Sequence, residues 1–273
     1  MTEFDFDADG TADCVSILTY TYDGRNPIQA VSETDENGDG IVDRRSTVNY
    51  TYNRRGDRIL TEGEAFSVTN NRVELRSTII DTYDQRGRRV GEVNRLDRSG
   101  DGTVDFVTRT SYHYDRRGNL VRFVTETDSD ATGEWNSITT YTRTYDIRGN
   151  MVSQVRETNP KPDGAGLVER STYTYDARSH LMLAVTETDY GIEGIPNAIE
   201  RRSYTYDRRG DLISTISEFS DGDGTTNGAI KTSYEYDSHG NLIRTVENNL
   251  NAEGIVDAIR TTIRTWTCVS AAR

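Results

Sequence analysis

The chain of 273 residues is poor in the residues that build an apolar core or a covalent framework. Only 33% of its residues are hydrophobic, it has four prolines, and its two cysteines, Cys14 and Cys268, lie near opposite ends. Two cysteines do not make a disulfide framework, so we expect either free thiols or a single link between the ends. No run approaches the ~18 apolar residues of a membrane-spanning helix. The composition predicts a thin, sheet-rich protein with much exposed surface and no membrane span.

Acidic residues outnumber basic ones, 45 to 32, which gives a net charge of −13. A phosphate backbone needs basic patches, so nucleic acid is not an expected partner. The first residues lack the basic and apolar segments of a signal peptide. The motifs of serine hydrolases, zinc proteases, P-loop proteins and dinucleotide-binding enzymes are missing, and the three histidines are scattered. We therefore predict that the protein is not an enzyme.

A Tyr-Asp pair recurs along the whole chain at intervals of 30 or 31 residues. Such a constant period predicts a repeat architecture, with about eight units in a single domain over residues 1–273. A final half-unit ends near Trp266. The marker tyrosines of the eight units are Tyr22, Tyr52, Tyr83, Tyr114, Tyr145, Tyr175, Tyr206 and Tyr236.

Each unit has the pattern of a β-hairpin. A run of period two leads into the marker tyrosine, so that Leu18, Tyr20 and Tyr22 share one face of a strand. A tight turn of the form Asp-x-Arg-Gly-Asn/Asp follows, and then a second run rich in β-branched residues. The pattern predicts an all-β, antiparallel array of hairpins that curls or spirals, because open sheets beyond about ten strands do not stay flat. The marker tyrosines are expected on its more buried face. The turn glycines predicted to adopt positive φ are Gly87, Gly118, Gly149, Gly210 and Gly240.

The signature Tyr-x-Tyr-Asp-x-x-Gly-Asn-Leu, complete in "YHYDRRGNL" at 112–120, resembles the RHS or YD-repeat family. The resemblance extends from Tyr20 to about Asp237. It implies a sheet of β-hairpin repeats, which large members wind into shells around toxins and other members carry on cell surfaces. The unit here is longer than the family's usual one, and eight units are too few to enclose a toxin domain.

Three acidic loops share the pattern D-x-[DNS]-x-D-G-x-x-D and are predicted calcium sites. Oxygen ligands at positions one, three and five, glycine at six and an acid at nine suit a short loop around Ca²⁺. These loops resemble the calcium loops of FG-GAP repeats. They lack the bidentate glutamate of an EF-hand, which lowers affinity and favours a calcium-rich setting outside cells. The alternative is a set of metal-free turns, and the loops after residue 128 are degenerate. The predicted ligands are Asp5, Asp7, Asp9 and Asp13 in the first loop, Asp35, Asn37, Asp39 and Asp43 in the second, and Asp97, Ser99, Asp101 and Asp105 in the third.

Together these patterns favour a calcium-stabilised structural or adhesive repeat protein at the cell surface or outside the cell. Its expected partners are further copies of itself, joined edge to edge or head to tail in a fibre, or surface components. Two alternatives remain open. One is a module that binds glycans or a protein, and the other is a fragment of an RHS-type toxin-delivery shell.

Overall fold

A computed structural model of the chain describes residues 2–4, 13–160, 166–191 and 194–264. These residues form eighteen β-strands and no helix, so none of them belongs to a helix that could cross a membrane. The strands are β1(Thr2–Phe4), β2(Cys14–Asp23), β3(Asn26–Asp35), β4(Arg44–Tyr52), β5(Arg58–Ser67), β6(Arg72–Tyr83), β7(Arg89–Asp97), β8(Phe106–Tyr114), β9(Leu120–Asp128), β10(Ser137–Tyr145), β11(Met151–Pro160), β12(Leu167–Tyr175), β13(Leu181–Tyr190), β14(Ala198–Tyr206), β15(Leu212–Asp221), β16(Thr226–Tyr236), β17(Leu242–Leu250) and β18(Val256–Ile263).

The chain divides into two compact units, residues 1–113 with 123–139 and residues 114–122 with 140–273. In the first unit each strand from β1 to β8 pairs antiparallel with the next. In the second unit the same holds from β11 to β18. The predicted all-β, antiparallel class is confirmed. The number of repeats, the curl of the array and the single domain over 1–273 stay predictions.

The marker tyrosines lie where the strand ladder is irregular. The register of the pairing shifts by one residue as the strand reaches Tyr52, and the same shift occurs at Tyr83, Tyr175, Tyr206 and Tyr236. Such bulges increase the local twist and end the ladder just before the turn. In the turn that follows, the five glycines predicted to adopt positive φ have φ between +79° and +95°, which confirms that prediction.

The hydroxyls of six marker tyrosines each connect a hairpin to the one before it within the same unit. Tyr145 donates a hydrogen bond to the carbonyl oxygen of Leu120, the first residue of the preceding descending strand, over 2.9 Å. The contact recurs at equivalent positions in both units, so the ring is placed by a polar bond as well as by packing. The other donor–acceptor pairs, at 2.9–3.1 Å, are Tyr52 to Pro27, Tyr83 to Arg58, Tyr175 to Met151, Tyr206 to Leu181 and Tyr236 to Leu212.

A turn arginine makes a second link between hairpins. Arg148 donates to the carbonyl oxygen of Ala177 in the following turn at 2.8 Å, and Arg178 donates to that of Arg208 at 3.1 Å. Arg55 and Arg117 make the same kind of contact. Because the guanidinium group carries several donors in a fixed geometry, it can satisfy carbonyl groups at the exposed end of the strands.

Few apolar side chains are buried. Among the described residues, Ala30 and Val168 are the only hydrophobic residues that are buried. Several polar side chains are buried instead, among them Asp81, Asp128 and Asp189. The low hydrophobic content of the sequence thus corresponds to strands that are half-buried rather than covered.

One turn departs from the glycine rule and provides a test of backbone strain. Ser179 has φ of +68° at the position that glycine occupies in the neighbouring turns. A side chain in this left-handed region costs about 1 kcal/mol or more, so Ser179→Gly is expected to raise the free energy of unfolding by about 1 kcal/mol. The midpoint of urea unfolding measures the change.

The reverse substitution is the matched control. Gly149 has φ of +90°, and a Cβ atom built there meets no heavy atom within 4 Å. Gly149→Ser is therefore expected to lower the free energy of unfolding by about 1 kcal/mol through backbone strain alone. Equal midpoints for wild type and both variants would contradict this account of the turns.

Candidate metal-binding loops

The acidic loops join the end of one hairpin to the start of the next. Of the first loop, Asp5, Asp7 and Asp9 lie outside the described residues. Asp13 is described, and its amide donates to the carbonyl oxygen of Phe4 at 2.8 Å. The second and third loops are described in full, which allows the predicted ligands to be placed.

In the second loop the carboxylate of Asp35 holds the backbone together. Asp35 ends β3 and is buried. Its Oδ1 accepts hydrogen bonds from the amides of Asn37 and Gly38, at 3.2 and 2.7 Å, and its Oδ2 accepts one from the amide of Gly40 at 2.7 Å. Gly40 can turn its amide inward because its φ is +85°. The first position of the pattern is therefore already a scaffold for the loop.

The ninth position closes the loop. Asp43 accepts a hydrogen bond on Oδ2 from the amide of Glu36 at 2.9 Å, and one on Oδ1 from the hydroxyl of Thr69 at 2.9 Å. Its own amide donates to the carbonyl oxygen of Thr34 at 2.9 Å. The side chain that the sequence predicts as a metal ligand thus bridges the two ends of the loop and a neighbouring turn.

The residues at the third and fifth positions, Asn37 and Asp39, are exposed, and each accepts a hydrogen bond from a backbone amide of the loop. Asn37 Oδ1 accepts from the amide of Asp39 at 3.1 Å, and Asp39 Oδ1 accepts from the amide of Ile41 at 2.8 Å. Each carboxylate or amide oxygen has a further lone pair, so these bonds leave acceptor capacity. Nowhere in the described ranges do three His, Cys, Asp or Glu side chains converge as a ready metal cluster. In donor type and in its sharp turn, loop 35–43 fits a hard cation such as Ca²⁺.

The third loop repeats the same frame. Asp97 Oδ1 accepts from the amide of Gly100 at 2.7 Å, and its Oδ2 accepts from that of Gly102 at 2.8 Å. Asp105 Oδ2 accepts from the amide of Arg98 at 2.7 Å. Asp101 Oδ1 accepts from Thr103 at 2.7 Å. The hydroxyl of Ser99 lies 3.3 Å from Asp97 Oδ1.

The guanidinium group of Arg76 contacts the third loop. Nη1 of Arg76 lies 3.4 Å from Asp97 Oδ2 and donates to the carbonyl oxygen of Gly100 at 2.8 Å. Its Nε donates to Glu64 Oε2 at 3.0 Å. The sequence analysis did not identify Arg76, although the period of the repeat aligns it with Val15, 61 residues earlier. Because a guanidinium ion competes with a metal for the same oxygens, loop 97–105 does not fit Ca²⁺ as loop 35–43 does.

Two degenerate loops keep the frame although the fifth position is no longer aspartate, being Thr132 in one and Glu193 in the other. The amide of Gly133 donates to Asp128 Oδ2 at 2.7 Å, and the amide of Gly194 donates to Asp189 Oδ2 at 2.8 Å. In each of these loops the ninth residue, Asn136 or Asn197, accepts from the amide that follows the first aspartate. The first and ninth positions therefore hold the backbone whatever stands between them. The pattern alone did not separate this role from that of a ligand.

The scaffold carboxylates remain charged at neutral pH. Burial acts to raise the pKa of Asp35, but hydrogen bonds from the amides of Gly40, Asn37 and Gly38 outweigh it and hold the pKa below the ordinary value of 3.8. Burial likewise acts to raise the pKa of Asp97, and the amides of Gly102 and Gly100 lower it. A carboxylate that is already ionised needs no proton release to meet a cation.

The opposite ends of the hairpins carry a second set of aspartates. Asp146 Oδ1 accepts from the amides of Arg148 and Asn150, at 2.8 and 2.9 Å, and its Oδ2 accepts from the Asn150 side chain at 2.9 Å. Burial acts to raise the pKa of Asp146, but these bonds lower it. The turn aspartates with lowered pKa are Asp84, Asp115, Asp146, Asp176, Asp207 and Asp237.

Two histidines lie in hairpin turns, and one of them is held by its neighbours. The His180 ring is half-buried, places Nδ1 2.9 Å from Asp176 Oδ2, and stacks on the ring of Tyr206 at 4.8 Å between centroids. His239 is exposed, with Nδ1 3.9 Å from Asp237. Each histidine thus pairs with the aspartate of its own turn, and both belong to the scaffold.

The chain matches no protein-family model, and no curated protein is significantly similar to it in sequence. Among solved structures, a porin-like protein from Bacteroides uniformis ATCC 8492 aligns with 92% of this chain and 97% of its own chain. The two are 11% identical, and the TM-score is 0.34. A likeness this low carries no argument about function. The resemblance to RHS repeats and to FG-GAP loops stays a prediction.

The turn aspartates predict a dependence of stability on pH. Because their pKa is lower in the folded chain, the unfolded chain takes up protons first as the solution is acidified. Their contribution is full above about pH 4 and is lost as the pH falls through the lowered pKa. Asp146→Asn is expected to lower the midpoint of urea unfolding relative to wild type. This decrease should be largest near pH 7 and should shrink below about pH 4.

Asparagine already stands at this position in one turn, where the Asn53 side chain accepts the amides of Arg55 and Asp57. The substitution therefore keeps the acceptor for the two backbone amides and removes both the charge and the acceptor of the Asn150 side-chain bond. A difference between wild type and Asp146→Asn that is the same at every pH would show that charge plays no part in the turn.

Proposed function

We propose that this protein is a non-enzymatic structural or adhesive repeat protein that is stabilised by calcium, works at the cell surface or outside the cell, and associates with itself. The observation that carries the proposal is loop 35–43. There a buried carboxylate and a glycine of positive φ shape a nine-residue turn, and the oxygens of Asn37 and Asp39 stand exposed on it.

The use of the polar side chains supports a scaffold rather than a catalyst. The marker tyrosines donate to backbone carbonyls, the turn aspartates accept backbone amides, and the turn arginines link one turn to the next. Burial raises the pKa of Tyr83, Tyr175, Tyr206 and Tyr236, which keeps these phenols protonated as donors. Groups that catalysis would need are thus engaged in holding neighbouring hairpins together.

The ligand set of loop 35–43 supports a calcium-rich location. The position that would hold the bidentate glutamate of an EF-hand is Ser46, so the loop has fewer charged ligands than a cytosolic sensor. Sites of this kind bind calcium in the range found outside cells. An extracellular or surface setting is therefore part of the proposal.

Calcium is expected to raise the melting temperature. At a concentration about a hundred times the Kd, one site adds about 2.7 kcal/mol to the free energy of unfolding, which is roughly 5–10 °C for a chain of this size. Thermal unfolding with excess calcium and with chelator measures the shift. Asp39→Asn is expected to reduce it, because the substitution keeps the acceptor for the Ile41 amide and removes a charged ligand.

Asp223→Asn is the matched control. Asp223 Oδ1 accepts the amide of Thr225 at 2.8 Å, the same i to i+2 contact, in a loop that lacks the calcium pattern. Calcium is expected to raise the melting temperature of Asp223→Asn by the same amount as that of wild type. If calcium leaves the melting temperature of wild type unchanged, the loops are metal-free turns and the calcium part of the proposal fails.

The exposed strand β18 supports self-association. Within the second unit β18 pairs with β17, and all eight of its residues are exposed, including Ile259 at 67% and Ile263 at 71%. A strand edge with apolar side chains is a template for a strand of another chain. Association through such edges, when it does not close, gives a filament.

Size analysis in calcium at rising protein concentration is expected to show growing assemblies. Ile259→Lys should reduce this growth, because a charge on an edge strand opposes pairing with another strand. Ile147→Lys is the control, since Ile147 is 86% exposed in a turn away from the strand ladders. A wild type that stays monomeric, or equal loss in both variants, would contradict association through β18.

The glycan- or protein-binding alternative has one feature in its favour. A polar cavity of about 420 Å³ lies over β4, β5 and β6 and is lined by Asn49, Glu62, Glu64 and Arg76, among others. We prefer a structural role, because two of the charged residues that line this cavity, Glu64 and Arg76, bind each other. A fragment of a toxin-delivery shell remains the third proposal, on the resemblance alone.

A further inference from the structure

We infer that Arg76 is a built-in counter-cation of loop 97–105, so that this loop is closed without a metal, in contrast to the calcium site proposed at loop 35–43. The inference rests on the proposed calcium function and deepens it. It concerns two loops that share one sequence pattern and were predicted to bind calcium alike.

The two loops have the same backbone frame. The first carboxylate, Asp35 or Asp97, accepts the amide of the sixth residue on Oδ2 at 2.7 or 2.8 Å. The ninth carboxylate, Asp43 or Asp105, accepts the amide of the second residue at 2.9 or 2.7 Å. A difference in cation binding must therefore come from what lies beside the frame.

The strand next to each loop supplies that difference. In the pairing of β2 with β3, Val15 lies opposite Asp35. In the pairing of β6 with β7, Arg76 lies opposite Asp97. The same position opposite Asp189 is Val168. Arg76 therefore places a cation at a register position where the other two strands have valine.

The space beside Asp35 is open. A cavity of about 420 Å³ is lined there by Val15, Ile17, Asp35, Gly38 and Gly40, among others. The carboxylate of Asp35 accepts hydrogen bonds from backbone amides of its own loop, those of Asn37, Gly38 and Gly40. Glu33 lines the same cavity and pairs with Arg45. Val15, which stands opposite Asp35, brings no charge to that carboxylate.

The space beside Asp97 holds a guanidinium group. Arg76 reaches Asp97 Oδ2 at 3.4 Å and the carbonyl oxygen of Gly100 at 2.8 Å, and Glu64 fixes its other side at 3.0 Å. Arginine cannot lose its proton in a protein, so this charge persists at every physiological pH. Ca²⁺ at loop 97–105 would meet a like charge a few ångströms away and would compete for the same oxygens.

The loop also packs tightly against the strand that carries the arginine. A Cβ atom placed on Gly100 would come within 2.2 Å of the carbonyl oxygen of Val73 in β6. The loop therefore packs directly on the backbone of the strand that carries Arg76, and the guanidinium group offsets part of the negative charge of loop 97–105.

Reciprocal substitutions test the inference, with Ca²⁺ alone as the probe in isothermal titration calorimetry. Arg76→Val is expected to bind one more calcium ion per chain than wild type, or to bind at loop 97–105 at least about tenfold more tightly. Adding Asp101→Asn to that variant should remove the gain. Val15→Arg is expected to weaken binding at loop 35–43 by a similar factor.

Arg76→Lys is the charge-conserving control and should behave as wild type. Circular dichroism verifies that each variant is folded, and Val15→Arg tests the same idea in the other loop should Arg76→Val fail to fold. The inference is overturned if Arg76→Val and Arg76→Lys bind calcium alike. The proposed function fails separately, if Asp39→Asn and wild type bind the same amount of calcium.

Discussion

Antiparallel backbone hydrogen bonds carry this fold, because almost no apolar core supports it. Among the described residues only Ala30 and Val168 are both hydrophobic and buried. A single pair of strands is marginal in water, and a ladder gains stability only as further strands are added. The array is stable, in this view, because each added hairpin brings its own polar links to the one before, as Tyr145 does with Leu120.

Polar side chains do here what apolar packing does in compact proteins. The turn aspartate binds amides within its own turn, the arginine binds carbonyls of the next turn, and the tyrosine reaches the strand before. Each net hydrogen bond contributes only about 1 kcal/mol, but the set recurs with the repeat. Stability then resembles a sum over neighbouring hairpins, as in other repeat proteins.

Local features of the fold were predictable from the sequence, whereas contacts between strands were not. The period of the tyrosines and the turn glycines such as Gly149 predicted strands and turns, because they depend on neighbours in sequence. The scaffold role of Asp43 was missed, since its partner Thr69 belongs to another turn. Arg76 was missed because its contact with Asp97 depends on the register of β6 and β7.

The tyrosine links also decide how the array answers a pulling force. Each of these hydroxyls joins a hairpin to its predecessor, beside the backbone ladder and the turn arginines, so tension within a unit falls on contacts between neighbours rather than on a shared core. Because stability resides in contacts between neighbours, we expect hairpins to detach one after another, each releasing about thirty residues. Loss of one hairpin leaves the neighbouring links in place. Such an array is expected to lengthen in steps under tension rather than to unfold all at once.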